Sequence, residues 1–211
     1  MTNGDTSQPG PAGVPYLIIV GGSPASGKTT LAEAVAKDLR LPLFRKDAFK
    51  ETLADALREA GAQVAENDLA SSRRLGLAAV RLLHRVAADV IAAGTSCVVE
   101  SNFHRGLSET DLRPLLERAD CRLIHCEAPR EVILARYKDR DHAGERHPVH
   151  LDGDRVEDLA AALDTGTFEP LDLPCPTLRV DTADGYRPSI PEVVRWVRSR
   201  NTEEFRLCPD A

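Results

Sequence analysis

Tyr16-Leu17-Ile18-Ile19-Val20-Gly21-Gly22-Ser23-Pro24-Ala25-Ser26-Gly27-Lys28-Thr29-Thr30 is the stretch that decides the fold. Its first five residues form an unbroken apolar, largely β-branched run, the pattern of a strand buried on both faces of a parallel sheet. Gly22 to Thr29 then follow the spacing G-x-x-x-x-G-K-[ST] of a phosphate-binding loop. Beyond it, Leu31, Ala32, Val35, Ala36 and Leu39 recur at helical spacing, which predicts a helix over Thr29–Leu39. Strand, glycine-rich turn and helix in this order suit an anion: successive backbone N–H groups make a concavity, and the helix N-terminus adds partial positive charge. Gly22 and Gly27 admit backbone angles and close approaches that a side chain would block. Lys28 is placed to reach the β- and γ-phosphates and Thr29 to offer its hydroxyl to Mg²⁺, with Thr30 next to it. The loop from Gly22 to Thr30 is therefore expected to hold ATP with Mg²⁺.

The rest of the composition bounds what such a loop serves. With 211 residues, one domain of the usual size is the default. Hydrophobic residues at 42% and charged residues at 28% are ordinary for a globular chain. A net charge of -6 and a pI near 5.6 argue against a dedicated binder of nucleic-acid backbone, although one arginine-dense stretch could form a local basic funnel. Cys97, Cys121, Cys126, Cys175 and Cys208 form no C-x-x-C pair and are odd in number, which reads as free thiols in a reducing cytoplasm. The longest apolar stretches fall far short of the ~20 residues that span a bilayer, so no membrane partner is expected. Residues 1–15 lack a charged start and an apolar core and read as a disordered tail rather than a signal peptide; residues 201–211 read as a C-terminal tail.

Strand and helix patterns alternate along the chain. A short strand at Leu43–Arg45 ends before Lys46-Asp47. Helices are expected over Ala48–Ala60, broken by Gly61, and from near Asp68 to Ala93, stopped by Gly94. A third strand, Cys97–Val99, ends at Glu100-Ser101-Asn102. Ser108 is expected to cap a helix to about Arg118, with Glu109 and Asp111 in its first turn. A fourth strand covers Arg122–Cys126, and Pro129 opens a helix through Tyr137. Asp139–Asp154, rich in Arg, His, Asp and Gly, reads as a mobile loop. A helix near Val156–Leu163, a fifth strand at Thr177–Val180 and a helix at Pro191–Arg200 complete the order. Such alternation implies right-handed crossovers and an α/β three-layer sandwich around a five-stranded parallel sheet. The domain is expected at 16–200, with a helical acceptor region at 48–93 and a lid at 136–154.

The chain has no N-K-x-D guanine-reading motif and is too short for the added modules of motor-type or ring-forming ATPases. It resembles the small P-loop kinases, nearest the group with the kinase domains of polynucleotide kinases, chloramphenicol phosphotransferase and gluconate-kinase-like enzymes. The resemblance runs from Tyr16 to Arg200. It implies that Asp47, just past the second strand and facing the phosphate loop, orients the acceptor hydroxyl or takes its proton; the other reading is a helix N-cap. It implies that Glu100, where relatives often carry an Asp, holds Mg²⁺ through water. Ser101-Asn102-Phe103-His104-Arg105 resembles the stretch that holds the acceptor, through Asn102 and Arg105, with loop capping as the alternative. Ala128-Pro129-Arg130-Glu131 followed by Arg136 and Arg140 resembles the entry to a lid helix. Those two arginines, one turn apart, would close over the nucleotide and neutralise the transferred group together with Lys28. Arg146 would follow on the mobile loop. A solvated basic face is the plainer reading of this set. Asp181–Tyr186 lies where such folds pack the adenine.

His147-Pro148-Val149-His150 lacks a third ligand at recognisable spacing, so loop packing or acceptor contact is favoured over metal; His84 and His125 read as structural. The expectation is an ATP-dependent kinase acting on a hydroxyl of a small molecule. Only 4% of residues are aromatic, which offers little platform for stacking bases. A 5′-hydroxyl nucleic-acid kinase is thus the second reading. An ATP-binding regulator with slow or no turnover is the third, and it would not need Asp47. The composition defines no oligomeric state.

Overall fold

The predicted first strand is β1 (Tyr16–Gly22), the middle strand of the sheet. Leu17, Ile18, Ile19 and Val20 are all fully buried, because alternate side chains enter two separate cores. Ile18 and Val20 pack under one layer with Leu31, Val35 and Trp196; Leu17 and Ile19 pack under the other with Leu83, Phe103 and Leu112. The computed structural model describes residues 13–62, 68–142, 147–150 and 155–199.

The elements are β1, α1 (Lys28–Leu39), β2 (Leu43–Arg45), α2 (Lys46–Glu59), α3 (Leu69–Ala92), β3 (Cys97–Glu100), α4 (Ser108–Leu116), β4 (Asp120–Glu127), α5 (Arg130–His142), a 3-10 turn at Pro148–His150, α6 (Val156–Asp164), β5 (Thr177–Asp181) and α7 (Ile190–Arg198). The sheet order is β2-β3-β1-β4-β5, and every pairing is parallel. α1 and α7 cover one face, and α3 and α4 the other. The expected α/β three-layer sandwich with a five-stranded parallel sheet is the observed fold. The strand order reverses beside β1, which lies between β3 and β4, and such switch points open a crevice at the carboxyl ends of the strands. There the register sets Val20 and Arg45 on either side of Glu100, and Gly22 opposite Cys126.

Four local expectations need correction. α2 starts at Lys46 rather than Ala48 because β2 feeds into it without a loop. Arg45 is its N-cap, and Asp47 lies in the first turn instead of capping. α4 starts at Ser108 with Leu107 as N-cap; the Ser108 hydroxyl instead accepts from the His104 N–H at 3.0 Å. α5 runs to His142, past the predicted end at Tyr137; the apolar period stops there, but Lys138 and Arg140 have good helix propensity and help to carry the helix onward. Pro148–His150, inside the predicted mobile loop, is a 3-10 turn with Val149 and His150 buried. Residues 143–146 and 151–154 of the expected lid, both predicted tails but for Gly13–Pro15, and Cys208 lie outside the described residues. No described helix is long and apolar enough to cross a membrane. Cys97, Cys121, Cys126 and Cys175 are free. Burial pushes the first three thiols up to about 12 and Cys175 up to about 11, so none is a ready thiolate.

Candidate active site

Past Val20 the backbone must turn sharply over the end of β4. Gly22 takes φ +139°, and a Cβ on it would lie 2.3 Å from the Cys126 carbonyl oxygen and 2.7 Å from Ser26 Oγ. Only glycine fits there. Ala25, at φ 62°, is a rarer left-handed non-glycine residue, held by packing on Ile133, Tyr137 and Leu159; such strain persists where the surroundings fix it. Gly27, at φ 76°, is the N-cap of α1. The Ser26 N–H donates to the Ser23 carbonyl at 3.2 Å. Lys28 Nζ donates to the same carbonyl at 3.3 Å and lies 3.6 Å from Glu100 Oε1. The hydroxyls of Ser23 and Ser26 are buried without a partner. Leading N–H groups of α1 have none within the helix either. Unpaired donors gathered around a lysine, in a cradle that a Cβ would fill, fit the oxygens of a triphosphate.

A magnesium ion bridging phosphate oxygens needs only one or two protein ligands. Thr29 lines the mouth of the loop, and Glu100 is buried behind Lys28. Burial pushes the Glu100 carboxyl up, the Lys28 ammonium pulls it back down, and Asp47 adds an upward push. These two side chains have the right chemistry for the ion. Among the described residues no trio of His, Cys, Asp or Glu could hold a metal unaided.

A cleft of about 130 Å³ joins Lys28 and Thr29 to Lys46, Asp47, Asn102 and Arg140. Asp47 Oδ1 lies 2.5 Å from Lys46 Nζ, which also donates to Asn102 Oδ1 at 3.4 Å. Two predicted residues stand elsewhere. Arg105 is exposed, outside the cleft, where its backbone N–H bonds the Thr167 carbonyl at 2.9 Å. Arg136 donates to the carbonyls of Thr182 and Ala183 at 2.7 and 2.9 Å, so it grips the segment after β5 rather than the mouth of the phosphate loop. Thr30 is exposed beside Tyr186. The His147–His150 stretch docks on α2 and α3. His147 Nε2 meets Asp55 at 3.1 Å, His150 Nε2 meets Glu51 at 2.7 Å, and the Val149 carbonyl accepts from Lys50 and Ser72 at 3.0 and 2.7 Å. The two histidines meet different carboxylates.

Sequence reasoning did not single out several residues that shape the site, although the Asp181–Tyr186 segment, expected to pack the adenine, contains two of them. Thr182 Oγ1 lies 2.9 and 3.1 Å from the carbonyl oxygens of Ser26 and Glu127, which share its one proton, and the Tyr186 hydroxyl donates to the Gly27 carbonyl at 3.0 Å. The segment after β5 is thereby tied to the phosphate loop; a threonine directly after a strand end was the available signal. Lys46 and Lys50, one turn apart on α2, both face the cleft, as do His104 and Arg155. His84 also does more than fill a core. It stacks on Phe103 with ring centroids 6.3 Å apart and lies 3.3 Å from Asp111 at a second pocket.

A parallel sheet ordered in this way, with a phosphate loop at its switch point, Glu100 at the end of β3 and Asp47 in the first turn of α2, defines a small P-loop kinase-like domain. Residues 17–165 match the model of the AAA domain family, and the chain belongs to that family. A protein from Chloroflexus aurantiacus J-10-fl, described as a putative kinase, is 38% identical over 88% of this chain and 97% of that chain, with a TM-score of 0.75. A sugar kinase from Janibacter sp. HTCC2649 shares the fold, with 21% identity over 87% of this chain and 94% of that chain and a TM-score of 0.55. No curated protein matches the chain.

Proposed function

We propose that this protein is an ATP-dependent phosphotransferase that moves the γ-phosphoryl group of ATP to a hydroxyl of a small molecule. One observation carries the reading: Lys28 and Thr29 line the same cleft as Asp47, Asn102 and Arg140. A donor site and an acceptor site within one cleft are what in-line transfer needs. The acceptor oxygen forms the new bond to the γ-phosphorus as the bond to the β–γ bridging oxygen breaks, and the acceptor proton passes to Asp47.

Asp47 orients the hydroxyl, and Lys46 at 2.5 Å fixes the carboxylate that does so. Lys28 balances charge on the β- and γ-phosphates, and Arg140 closes the cleft from α5. Arg136 acts at one remove, by holding the segment after β5 against the nucleotide base. Thr29 and Glu100 would hold Mg²⁺, which when bound draws off charge that develops on the phosphate oxygens. A cytoplasmic location accords with the free thiols.

The test is ADP release with ATP, Mg²⁺ and a panel of hydroxyl compounds. An acceptor should stimulate release; Asp47→Asn should lower kcat by about a hundredfold or more, in the range of general-base loss, without loss of ATP binding. Lys28→Ala should abolish turnover. ATP binding that no small acceptor turns into release, unchanged in Asp47→Asn, would instead support a regulator. Stimulation by 5′-hydroxyl oligonucleotides alone would support a nucleic-acid kinase.

A further inference from the structure

Beyond Lys46 and Asn102 the cleft continues into a second pocket of about 320 Å³, between α2, α3 and the segment after β3. That size lies at the small end of small-molecule sites. One wall is apolar, with Leu77 and Val80 on α3 and Phe103 and Leu107 opposite. The wall it shares with the phosphate cleft carries three cations, Lys46, Lys50 and Arg155, beside Asn102 and His104.

These cations differ in what opposes them. Lys46 has Asp47 at 2.5 Å, and Arg73 at the rim has Asp158 at 2.9 Å. Arg155 makes no hydrogen bond or ion pair among the described residues, and its Nε is shielded from water. A dehydrated guanidinium donor without an acceptor is costly, and its planar fork matches a carboxylate or a phosphate. His104 senses the same field: burial first, then Lys46 and Arg155, hold its imidazole below the usual histidine range. His84, lowered chiefly by burial, keeps a buried Nε2 that also lacks a partner. A positive throat between two clefts, lined on its outer side by apolar residues, selects by charge as well as shape.

We infer that the acceptor is a small alcohol carrying an anionic group, which Arg155 binds while Leu77, Val80 and Phe103 cover its apolar body and its hydroxyl reaches toward Asp47. This inference rests on the kinase reading for its direction of transfer, but the charge preference is measured separately. Binding is followed by calorimetry on the full chain with a non-hydrolysable ATP analogue, using pairs that differ in charge. One pair is para-hydroxymethylbenzoate and its primary amide; the other is glycerol phosphate and glycerol. The pairs separate a carboxylate from a phosphate as the preferred anion.

At least one anion should bind about tenfold or more tightly than its neutral twin, and Arg155→Met should remove most of that gap, as expected for loss of a charged hydrogen bond. Arg155→Lys should restore part of it. Leu77→Trp should weaken the benzoate more than glycerol phosphate. Twins of equal affinity, anions that fail to bind, or a gap that survives Arg155→Met in a folded protein would each overturn the inference. The kinase reading fails on a different result: anions that bind through Arg155 while no hydroxyl compound stimulates ADP release.

Discussion

Gly22→Ala tests the geometry on which the whole site depends. In register, Gly22 stands opposite Cys126 of β4. The added methyl would sit 2.3 Å from the Cys126 carbonyl oxygen and 2.7 Å from Ser26 Oγ, at φ +139°. An ordinary contact needs roughly an ångström more, so β4 or the phosphate loop must move by that much. Overpacking of this kind costs about 1–3 kcal/mol, and the backbone conformation adds about 1–2 kcal/mol. The sum, about 2–5 kcal/mol, is a large share of the roughly 5–15 kcal/mol that holds a domain together. Gly94 supplies the control: it has φ +74° and nothing within 4 Å of its would-be Cβ, so Gly94→Ala should lose only the backbone part, about 1–2 kcal/mol. Urea denaturation of both variants gives the stabilities, and calorimetry with an ATP analogue gives the binding. Gly22→Ala should be far less stable than Gly94→Ala and lose the nucleotide. Equal midpoints, or normal nucleotide affinity in a folded Gly22→Ala protein, would refute the account of the loop.

Three further outcomes are expected. Thr182→Val removes the hydroxyl that ties the segment after β5 to the Ser26 and Glu127 carbonyls; it should cost about 1–2 kcal/mol in urea and weaken the ATP analogue, and unaltered affinity would deny the tie a role. Glu100→Gln should preserve the fold yet raise the Mg²⁺ needed for half-maximal turnover by about tenfold or more, the usual scale for a lost metal-supporting group; an unshifted Mg²⁺ titration would remove Glu100 from the site. His125 is held down to about 4 from 6.5, first by burial and then by Arg179. Its unfolded form therefore binds the proton first as pH falls, and stability drops below pH 6.5 by about 2 kcal/mol between pH 7 and pH 5. In His125→Gln that part of the pH slope should vanish from urea midpoints, and an identical slope would contradict the burial argument.

The sequence was most legible where function depends on neighbours in the chain. The phosphate loop is contiguous, and its glycines, lysine and threonine are fixed by the turn from β1 into α1. Asp47 and Glu100 were also accessible to sequence reasoning, because a parallel sheet brings the carboxyl ends of adjacent strands to one edge, and β2 and β3 both lie on the same side of β1. Arg136 and Arg140 show where this reasoning stops. Helical spacing places them on one face of α5, but Arg136 bonds carbonyls 46 and 47 residues away, while Arg140 lines the cleft. No period in the sequence could separate those fates. Arg105 is lost to the cleft for a similar reason, since the chain turns outward at Gly106, with φ +82°.

The acceptor side is illegible for a physical reason. A phosphate presents the same oxygens in every nucleotide, so one short segment with backbone donors can recognise it. An acceptor differs from one kinase to the next, and its pocket must be assembled from side chains on separate elements. Here α2 supplies Lys46 and Lys50, α3 supplies Leu77 and Val80, the segment after β3 supplies Asn102 to His104, and Arg155 stands just before α6. Even the contact that brings the 147–150 turn onto α2 relies on a long-range match, in which Glu51 and Asp55, one helical turn apart, meet His150 and His147. The residues that line this pocket are thus the ones without a shared local pattern, and the charge on Arg155 becomes informative only when folding places it between the two clefts.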